Sequence, residues 1–448
     1  MSLERLVSHP GRVVSAAYMV GWLLGTTLLL LPVCTAPGNH TGWWQASFTA
    51  MSALCITGLN VVDPGTHWSH AGQVVILSLI QMGGFGIMTM TSLILFRIAG
   101  RVSHTTARVA QAETRAQLTG IGRMPWRILR LTLLIEGTVA VLLTGRFLLL
   151  GMQWDQALYR GVFHAISAFN NAGFSLWPDN MIGFNADPWV MLPICAAIVL
   201  GGLGFPVHLE LLRRWRGLRA GARRRPSVHL QLTLIGTAVL LLAGFCTFAL
   251  FEWNNPGTLG PQSLTGKLLG CLGGAVFPRT AGFNSIDYGA INDATIAVNY
   301  GLMMIGGGSA GTAGGLKIAT VAVLLLAVAT EVAGEQKTVF RGRKISSALT
   351  RQALAVTVLG TAAVFVAILA LASIEPAPLH VVTFEAISAF ATVGLSMNLT
   401  PTLQPASLGV VEALMFLGRV GPVSVAAALA MHRHPRRYQL PQEDPLVG

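Results

Sequence analysis

Charge is scarce in this sequence: Asp, Glu, Lys and Arg make up 11% of its 448 residues, against roughly 25% in soluble domains. With 53% hydrophobic residues beside it, that shortage excludes an ordinary water-soluble enzyme, because too little polar surface exists to cover the globule. Cysteine is also scarce. Cys34, Cys55, Cys195, Cys246 and Cys271 are scattered through mostly apolar stretches without paired spacing, which argues against a disulfide framework or a zinc site. No His-Glu-x-x-His pair, nucleophile elbow or acidic dyad within one apolar segment is present, so the chain reads as a non-enzyme. Acidic residues are outnumbered 18 to 30, for a formal charge of +12. The basic residues fall at intervals between apolar runs rather than in one patch, which marks membrane topology and not a nucleic-acid partner.

What the sequence does have is long uncharged runs, among them Val13 to Leu31, Ala71 to Phe96 and Leu230 to Phe251. Each is long enough to cross a bilayer core, which takes about 20 helical residues. Eight crossings are expected, over residues 12 to 31, 71 to 96, 127 to 150, 188 to 211, 229 to 252, 293 to 330, 350 to 373 and 406 to 431. The first has no convincing small-residue cleavage site after it, so it is kept as a membrane helix. The sixth is too long for one straight helix. Between crossings one and two, three and four, five and six, and seven and eight lie apolar stretches that end in a glycine and small polar residues. Each runs for only about ten residues, or about 15 Å of helix, so it can enter the membrane and turn back but cannot cross.

Charge distribution agrees with this layout. Of 30 Lys and Arg, 24 fall at the N-terminus, near 97 to 130, 213 to 225 and 337 to 351, or after 432. All of these face the cytosol if the N-terminus does. Arg213, Arg214, Arg216, Arg219, Arg223, Arg224 and Arg225 read as a topology anchor in contact with lipid phosphates. Asp63, Asp155, Asp179, Asp187, Asp287, Asp293 and Glu375 all fall on the opposite, outer side. An outward acidic and inward basic chain suits the entry of a cation.

An internal repeat carries the most information. Phe48 to Leu59, Phe163 to Phe174 and Phe384 to Leu395 superpose without gaps, and a looser copy runs from Leu272 to Phe283. Their glycines, Gly58, Gly173, Gly282 and Gly394, are separated by 115, 109 and 112 residues. Each repeat then holds two crossings and one re-entrant segment. The expected units are 1–111, 112–228, 229–345 with a glycine-rich intramembrane loop at 306–315, and 346–448 with a cytosolic tail. An even number of crossings makes the copies parallel, so four can surround one axis. The resulting fold class is an all-α membrane protein: four parallel helix, re-entrant pore helix, helix repeats around a pseudo-fourfold pore. A second register follows 24 to 28 residues later and aligns Gly84, Gly202 and Gly307 with Arg419.

A helix that stops halfway through the membrane aims its carbonyl end, with roughly half a negative charge, at the bilayer centre. Four such ends favour a cation. Ile56-Thr57-Gly58, Asn171-Ala172-Gly173, Thr280-Ala281-Gly282 and Thr392-Val393-Gly394 can offer a ring of backbone carbonyls in place of an ion's hydration shell. A lone glycine after an apolar helix is most often a helix cap, but four in register point to a filter.

On Thr57-Gly58-Leu59, Asn170 to Ser175, Pro278 to Asn284, Thr392 to Ser396, the glycine-rich 306 to 315 and Gly418-Arg419-Val420-Gly421-Pro422, the chain resembles the Trk/Ktr/HKT superfamily of cation transporters. Within it the chain resembles Ktr-type membrane subunits (KtrB-like), over nearly the whole chain. The two extra N-terminal helices usual in Trk-type subunits are missing. The resemblance implies that glycine at all four filter positions goes with potassium selectivity, whereas serine at the first goes with sodium transport in some plant members.

Gly306, Gly307, Gly308, Ser309, Gly311, Thr312, Gly314 and Gly315 stand in the middle of the sixth crossing, with six glycines in the ten residues 306 to 315. No stable helix is expected there. Irregular backbone at this depth is tolerated where it lines a cavity or is buried in protein, and a helix contact of the Gly-xxx-Gly kind is the rival reading. The resemblance implies a gate. Residues 306 to 311 also match a dinucleotide fingerprint, but without a preceding strand the match carries nothing. Lys317 is a candidate tether from the loop to an acid. Arg419 is too deep to snorkel to the cytosol and marks function by default; pairing with Glu412 or with a helix end is its structural alternative. Glu136 and Glu385 read as packing partners for arginine or backbone rather than ion ligands, and His164 and His208 as unremarkable.

The expected function is potassium uptake through a selective, gated pore in a bacterial plasma (inner) membrane, multi-pass with both termini cytosolic. The rival is a secondary transporter with a midplane substrate site and alternating access. No covalent cofactor is expected; potassium at the filter carbonyls is the substrate, and sodium a candidate activator. The resemblance implies a homodimer on a cytosolic ring of nucleotide-binding RCK subunits.

Overall fold

The computed structural model describes residues 10–102, 124–219 and 225–421. The basic stretch 103–123 and the tail from 422, on which part of the topology reading rests, lie outside the described residues. The chain is an all-α membrane protein: fourteen helices of two turns or more are described, and the strands are limited to one two-residue hairpin, Val339–Phe340 with Arg343–Lys344.

The helices are α1 (Pro10–Leu29), α2 (Trp43–Cys55), α3 (His70–Val102), α4 (Met124–Leu149), α5 (Trp154–Phe169), α6 (Pro188–Leu203) and α7 (Phe205–Arg219). They continue as α8 (Val228–Phe251), α9 (Leu264–Val276), α10 (Asp293–Met304), α11 (Ile318–Val332), α12 (Ser347–Ile374), α13 (Leu379–Ala391) and α14 (Pro405–Val420). Among the described residues, α4, α8 and α12 are each long and apolar enough to cross a bilayer alone, and α6 with α7 forms a bent pair that passes together.

Burial separates two classes of helix. The short helices α2, α5, α9 and α13 lie inside: Ala46 to Cys55 of α2 are all buried, as are Phe384 to Ala391 of α13. Their carriers turn leucine and valine outward, for example Leu134 and Val141 on α4, Val239 and Leu242 on α8, and Phe365 and Val366 on α12. A protein in water would bury these side chains, whereas one in a bilayer needs them outside. The core is therefore built around the short helices, and the crossings insulate it from lipid.

One expectation from sequence is corrected here. The crossing at 188 to 211 is not one helix, because α6 ends at Leu203 and α7 leaves it at 96°. Gly204 makes this corner with φ 89° and ψ 147°, a conformation that a side chain rarely tolerates. Gly421 ends α14 in the same way at φ 91° and ψ 135°, whereas Gly86 in the corresponding register lies inside the continuous α3. The overlong sixth segment does break, into α10, the loop 305–317 and α11.

Candidate functional site: a ring of glycines above an intramembrane loop

The site begins at the ends of the short helices. Helix α2 closes with Ile56 in the left-handed region and a bond from Thr57 N–H to the Ser52 carbonyl at 2.8 Å. The copies repeat it: Ala172 N–H reaches Ser167 and Val393 N–H reaches Ser388, each at 2.8 Å. Ser52 and Ser388 also use their hydroxyls to accept from Gly58 N–H and Gly394 N–H, both at 3.1 Å, and the hydroxyls of Ser52 and Ser167 donate to the carbonyls of Leu59 and Phe174. These serines were not singled out from sequence. Their signal was present, since each stands six residues before its glycine in the three close copies, while the looser third repeat has Val276 there.

Backbone signs then alternate. Ile56, Asn171, Thr280 and Thr392 have φ of 56°, 60°, 63° and 49°, and Gly58, Gly173, Gly282 and Gly394 have 90°, 70°, 71° and 91°. The residues between them, Thr57, Ala172, Ala281 and Val393, keep ordinary negative φ. Alternation of this kind turns successive carbonyls toward one side of the strand instead of opposite sides. Four bulky or polar residues in the left-handed region are individually uncommon, and their recurrence at one register marks a shared geometric demand.

The glycines close a ring. A β-carbon on Gly58 would fall 2.4 Å from the Ala172 carbonyl oxygen, on Gly173 2.9 Å from that of Ala281, on Gly282 2.7 Å from that of Val393, and on Gly394 2.1 Å from that of Thr57. Each glycine thus faces the carbonyl preceding the next glycine, in chain order and back to the start. No side chain fits at any of the four.

On one side of the ring opens a cavity of 480 Å³ lined by residues that follow the glycines, including Asp63, Asp179, Asp287 and Asn398. Asp63 and Asp287 also cap short helical turns, and Asn398 donates to Asp287 at 3.2 Å. At the end of the turn that Asp63 caps, partial burial pushes His67 below its ordinary range, with Asp63 pulling the other way. The mouth of the ring is therefore acidic.

On the other side sits the loop 305–317. Gly308 N–H donates to the Gly202 carbonyl at 2.8 Å, Thr312 N–H to that of Gly201 at 3.3 Å, and Phe205 N–H to that of Ala310 at 3.3 Å, so the loop is seated on the corner between α6 and α7. Gly306 N–H pairs with the Leu316 carbonyl at 2.8 Å, and Gly307 accepts from Ile318 at 3.0 Å. Gly311 N–H returns to Gly308, and Ala310 and Gly315 take positive φ. The Ser309 carbonyl lies 2.5 Å from the place of a β-carbon on Gly204. Against the ring, a β-carbon on Gly314 would meet Thr392 Oγ1 at 1.9 Å, and Thr312 Oγ1 touches the Asn171 side chain at 3.2 Å and the Phe169 carbonyl at 3.3 Å.

Two buried arginines, Arg419 and Arg279, and the half-buried Lys317 hold this loop by its carbonyls. Arg419 donates to Thr312 and Lys317 to Ala313, the next residue. Arg279 donates to Gly306 at 3.4 Å. Lys317 had been expected to reach an acid, and it reaches backbone instead. The Glu412 alternative for Arg419 does not hold: Glu412 accepts from Ser47 at 2.8 Å, and among the described residues the one ion pair is Arg146 with Asp187. Arg279 is one of the six Lys and Arg residues outside the basic segments named from the sequence. Only the folded loop brings it into use, and no spacing rule could have found it.

The glycine register beneath the ring is not a simple square. Gly202 and Gly307 are neighbours, with Gly202 O at 2.4 Å from a β-carbon on Gly307, but Gly84 packs on Asn170. Glu136 accepts from the amides of Asn170 and Gln81 and not from an arginine, while Glu385 accepts from Ser396 and Thr400 behind the fourth segment. His164 has a similar place behind the second, meeting Ser175 at 3.0 Å. His208 pairs with the Leu200 carbonyl at 2.7 Å.

Comparison with known proteins agrees with this architecture. The TrkH family model, described as a cation transport protein, matches residues 20–438. The chain belongs to the TrkH family. It is an ion transporter rather than an enzyme. It is similar to the Ktr system potassium uptake protein B of Bacillus subtilis (39% identical, over 94% of this chain and 93% of that one) and to its namesake in Vibrio alginolyticus (34%, 98% and 94%). The potassium/sodium uptake protein NtpJ of Enterococcus hirae is 34% identical over 98% of this chain and 97% of its own length. The crystal structure of the potassium transporter TrkH from Vibrio parahaemolyticus shares the fold, with a TM-score of 0.72 at 18% identity over 94% of this chain and 84% of that one.

Proposed function

We propose that the chain takes up potassium by letting it pass through the glycine ring, with the loop 305–317 as a gate beneath. One observation carries the reading: four strands of alternating φ sign meet glycine to carbonyl in a closed ring. Carbonyl dipoles from all sides replace an ion's hydration shell without a fixed charge that would trap it. The filter residues are then Ile56, Thr57 and Gly58, Asn171 to Gly173, Thr280 to Gly282, and Thr392 to Gly394. Three carboxylates at the mouth raise the local cation concentration. Arg419, Lys317 and Arg279 hold the loop across the exit and add positive charge there. The names of the relatives, two potassium uptake proteins and one potassium/sodium uptake protein, support potassium as the substrate and sodium as a second ion to test.

In this reading both termini are cytosolic, which the spacing of basic residues along the sequence supports. A homodimer on a cytosolic nucleotide-binding RCK ring completes the proposal; relatives named as parts of a Ktr system support a separate controlling chain. The decisive experiment is uptake by a potassium-requiring bacterial strain that lacks its own uptake systems, compared for potassium, rubidium and sodium. Growth at low potassium is expected with this chain. No uptake of any of the three ions by a folded protein at the membrane overturns the reading.

A further inference from the structure

The proposed pore uses only the first residue of α7, Phe205, which seats the loop. This helix has two sides of opposite character. One is tied to the protein: Phe205 and Val207 are buried, His208 bonds back to Leu200, and Glu210 accepts from Ser227 N–H at 2.8 Å and its hydroxyl at 2.5 Å. The other carries Leu211, Leu212, Trp215 and Leu218, which are 38%, 38%, 53% and 59% exposed. Leu211, Trp215 and Leu218, four and three residues apart, lie on one stripe of the helix, with Leu212 at its margin. Arg213 and Arg216, also exposed, flank the stripe, with Arg214 half-buried beside them.

The 96° corner at Gly204 decides what such a stripe can meet. With α6 taken as the membrane-crossing part of the segment 188 to 211, a 96° turn lays α7 along the membrane plane. A helix in that plane with leucine and tryptophan on one side and arginine beside them is built to sink its apolar stripe to the level of the acyl chains. Tryptophan favours the interface between headgroups and acyl chains. Arginine then stands level with the headgroups, where its planar donors match phosphate oxygens in pairs.

We propose that α7 lies in the headgroup layer on the basic side of the membrane and binds anionic phospholipid, with Leu211, Trp215 and Leu218 inserted and Arg213, Arg214 and Arg216 on the phosphates. The inference rests on α6 crossing the bilayer and not on the ion carried. It also reaches the loop, because Phe205, the first residue of α7, donates to Ala310.

The test uses the full chain in vesicles of phosphatidylcholine alone or mixed with phosphatidylglycerol. With Cys246, the exposed cysteine of the five, replaced by Ser, a nitroxide is attached through Leu211→Cys, Leu218→Cys or Arg213→Cys. Labels at 211 and 218 are expected to relax with membrane-dissolved oxygen and the label at 213 with a water-soluble nickel chelate. In parallel, phosphatidylglycerol retained on the detergent-extracted protein is measured by mass spectrometry. The combined Arg213→Gln, Arg214→Gln, Arg216→Gln variant should lose it several-fold, and the corresponding Lys variant should keep part of it. Nickel-dominated relaxation at 211 and 218 in both vesicles would make the stripe a surface for a soluble protein and overturn the assignment. Equal retention by wild type and Gln variant would remove the arginines as headgroup ligands.

Discussion

A hydroxymethyl group on Gly58 has nowhere to go: its β-carbon would stand 2.4 Å from the Ala172 carbonyl oxygen, on a residue whose φ is 90°. Gly58→Ser must therefore displace that carbonyl or the strand carrying it. The expected outcome is a lower preference for potassium over sodium with uptake retained, read from competitive uptake of the two ions; an unchanged ratio would remove Gly58 from the filter. Arg419 sits on the loop rather than free in an open pore. At roughly 10 Å from an ion and an effective dielectric near 20, its charge raises the ion's energy by about 1.7 kcal/mol, or roughly 10- to 20-fold in rate if that step limits transport. Arg419→Ala removes both the charge and the donor to Thr312, so maximal potassium uptake per folded transporter should rise by at least that order, with Arg419→Lys between the two. A folded Ala variant no faster than wild type would return Arg419 to a structural role. These positions were legible in the sequence because each breaks a local rule, a repeated glycine after a buried helix or a charge deep in an apolar run. Arg279 broke no rule visible in one dimension, since its partner Gly306 lies 27 residues away.

Elements carry a different kind of constraint. The loop 305–317 was readable as non-helical from glycine content alone, but its seat was not. Glycine density says that backbone can come close without saying to what, and the seat is the corner made by Gly204, where the sequence suggested a continuous crossing. Deleting Gly307 to Gly314 removes the bonds to Gly201 and Gly202 together with the obstruction beneath the ring. Potassium flux through such a protein should rise and depend less on any cytosolic partner; lower flux from a folded protein would assign the loop to the scaffold. Close packing of crossings on the short helices gives a second, purely structural expectation. A β-carbon on Gly418 would fall 1.6 Å from the Phe390 carbonyl oxygen. That oxygen belongs to a fixed helix end. Gly418→Ala should therefore destabilise the fold, by about 1–3 kcal/mol as for other overpacked sites, measured as a lower midpoint of thermal unfolding in detergent without a change in ion preference in whatever protein remains folded.

At the scale of the whole molecule, acidic side chains line the cavity on one side of the ring and cations hold the loop on the other, and a count of charges along the chain points to the same split. What that count could not supply is assembly. If the proposal of a homodimer on a nucleotide-binding ring holds, the purified chain has twice its own 47.4 kDa by mass measurement in detergent, and flux in vesicles responds to nucleotide only after the ring is added. A monomer with nucleotide-independent flux under both conditions would count against it. The internal repeat was legible because its copies still share a motif. The divergence of the third copy, with Val276 where the others keep serine, shows that they no longer change together. Since all four quadrants of the glycine ring lie in one reading frame, a single nucleotide change alters one quadrant and spares three. In an assembly of four identical chains the same change would strike every quadrant at once. The one-chain ring therefore gives mutation small steps through ion preference, where a tetramer of identical subunits can only leap.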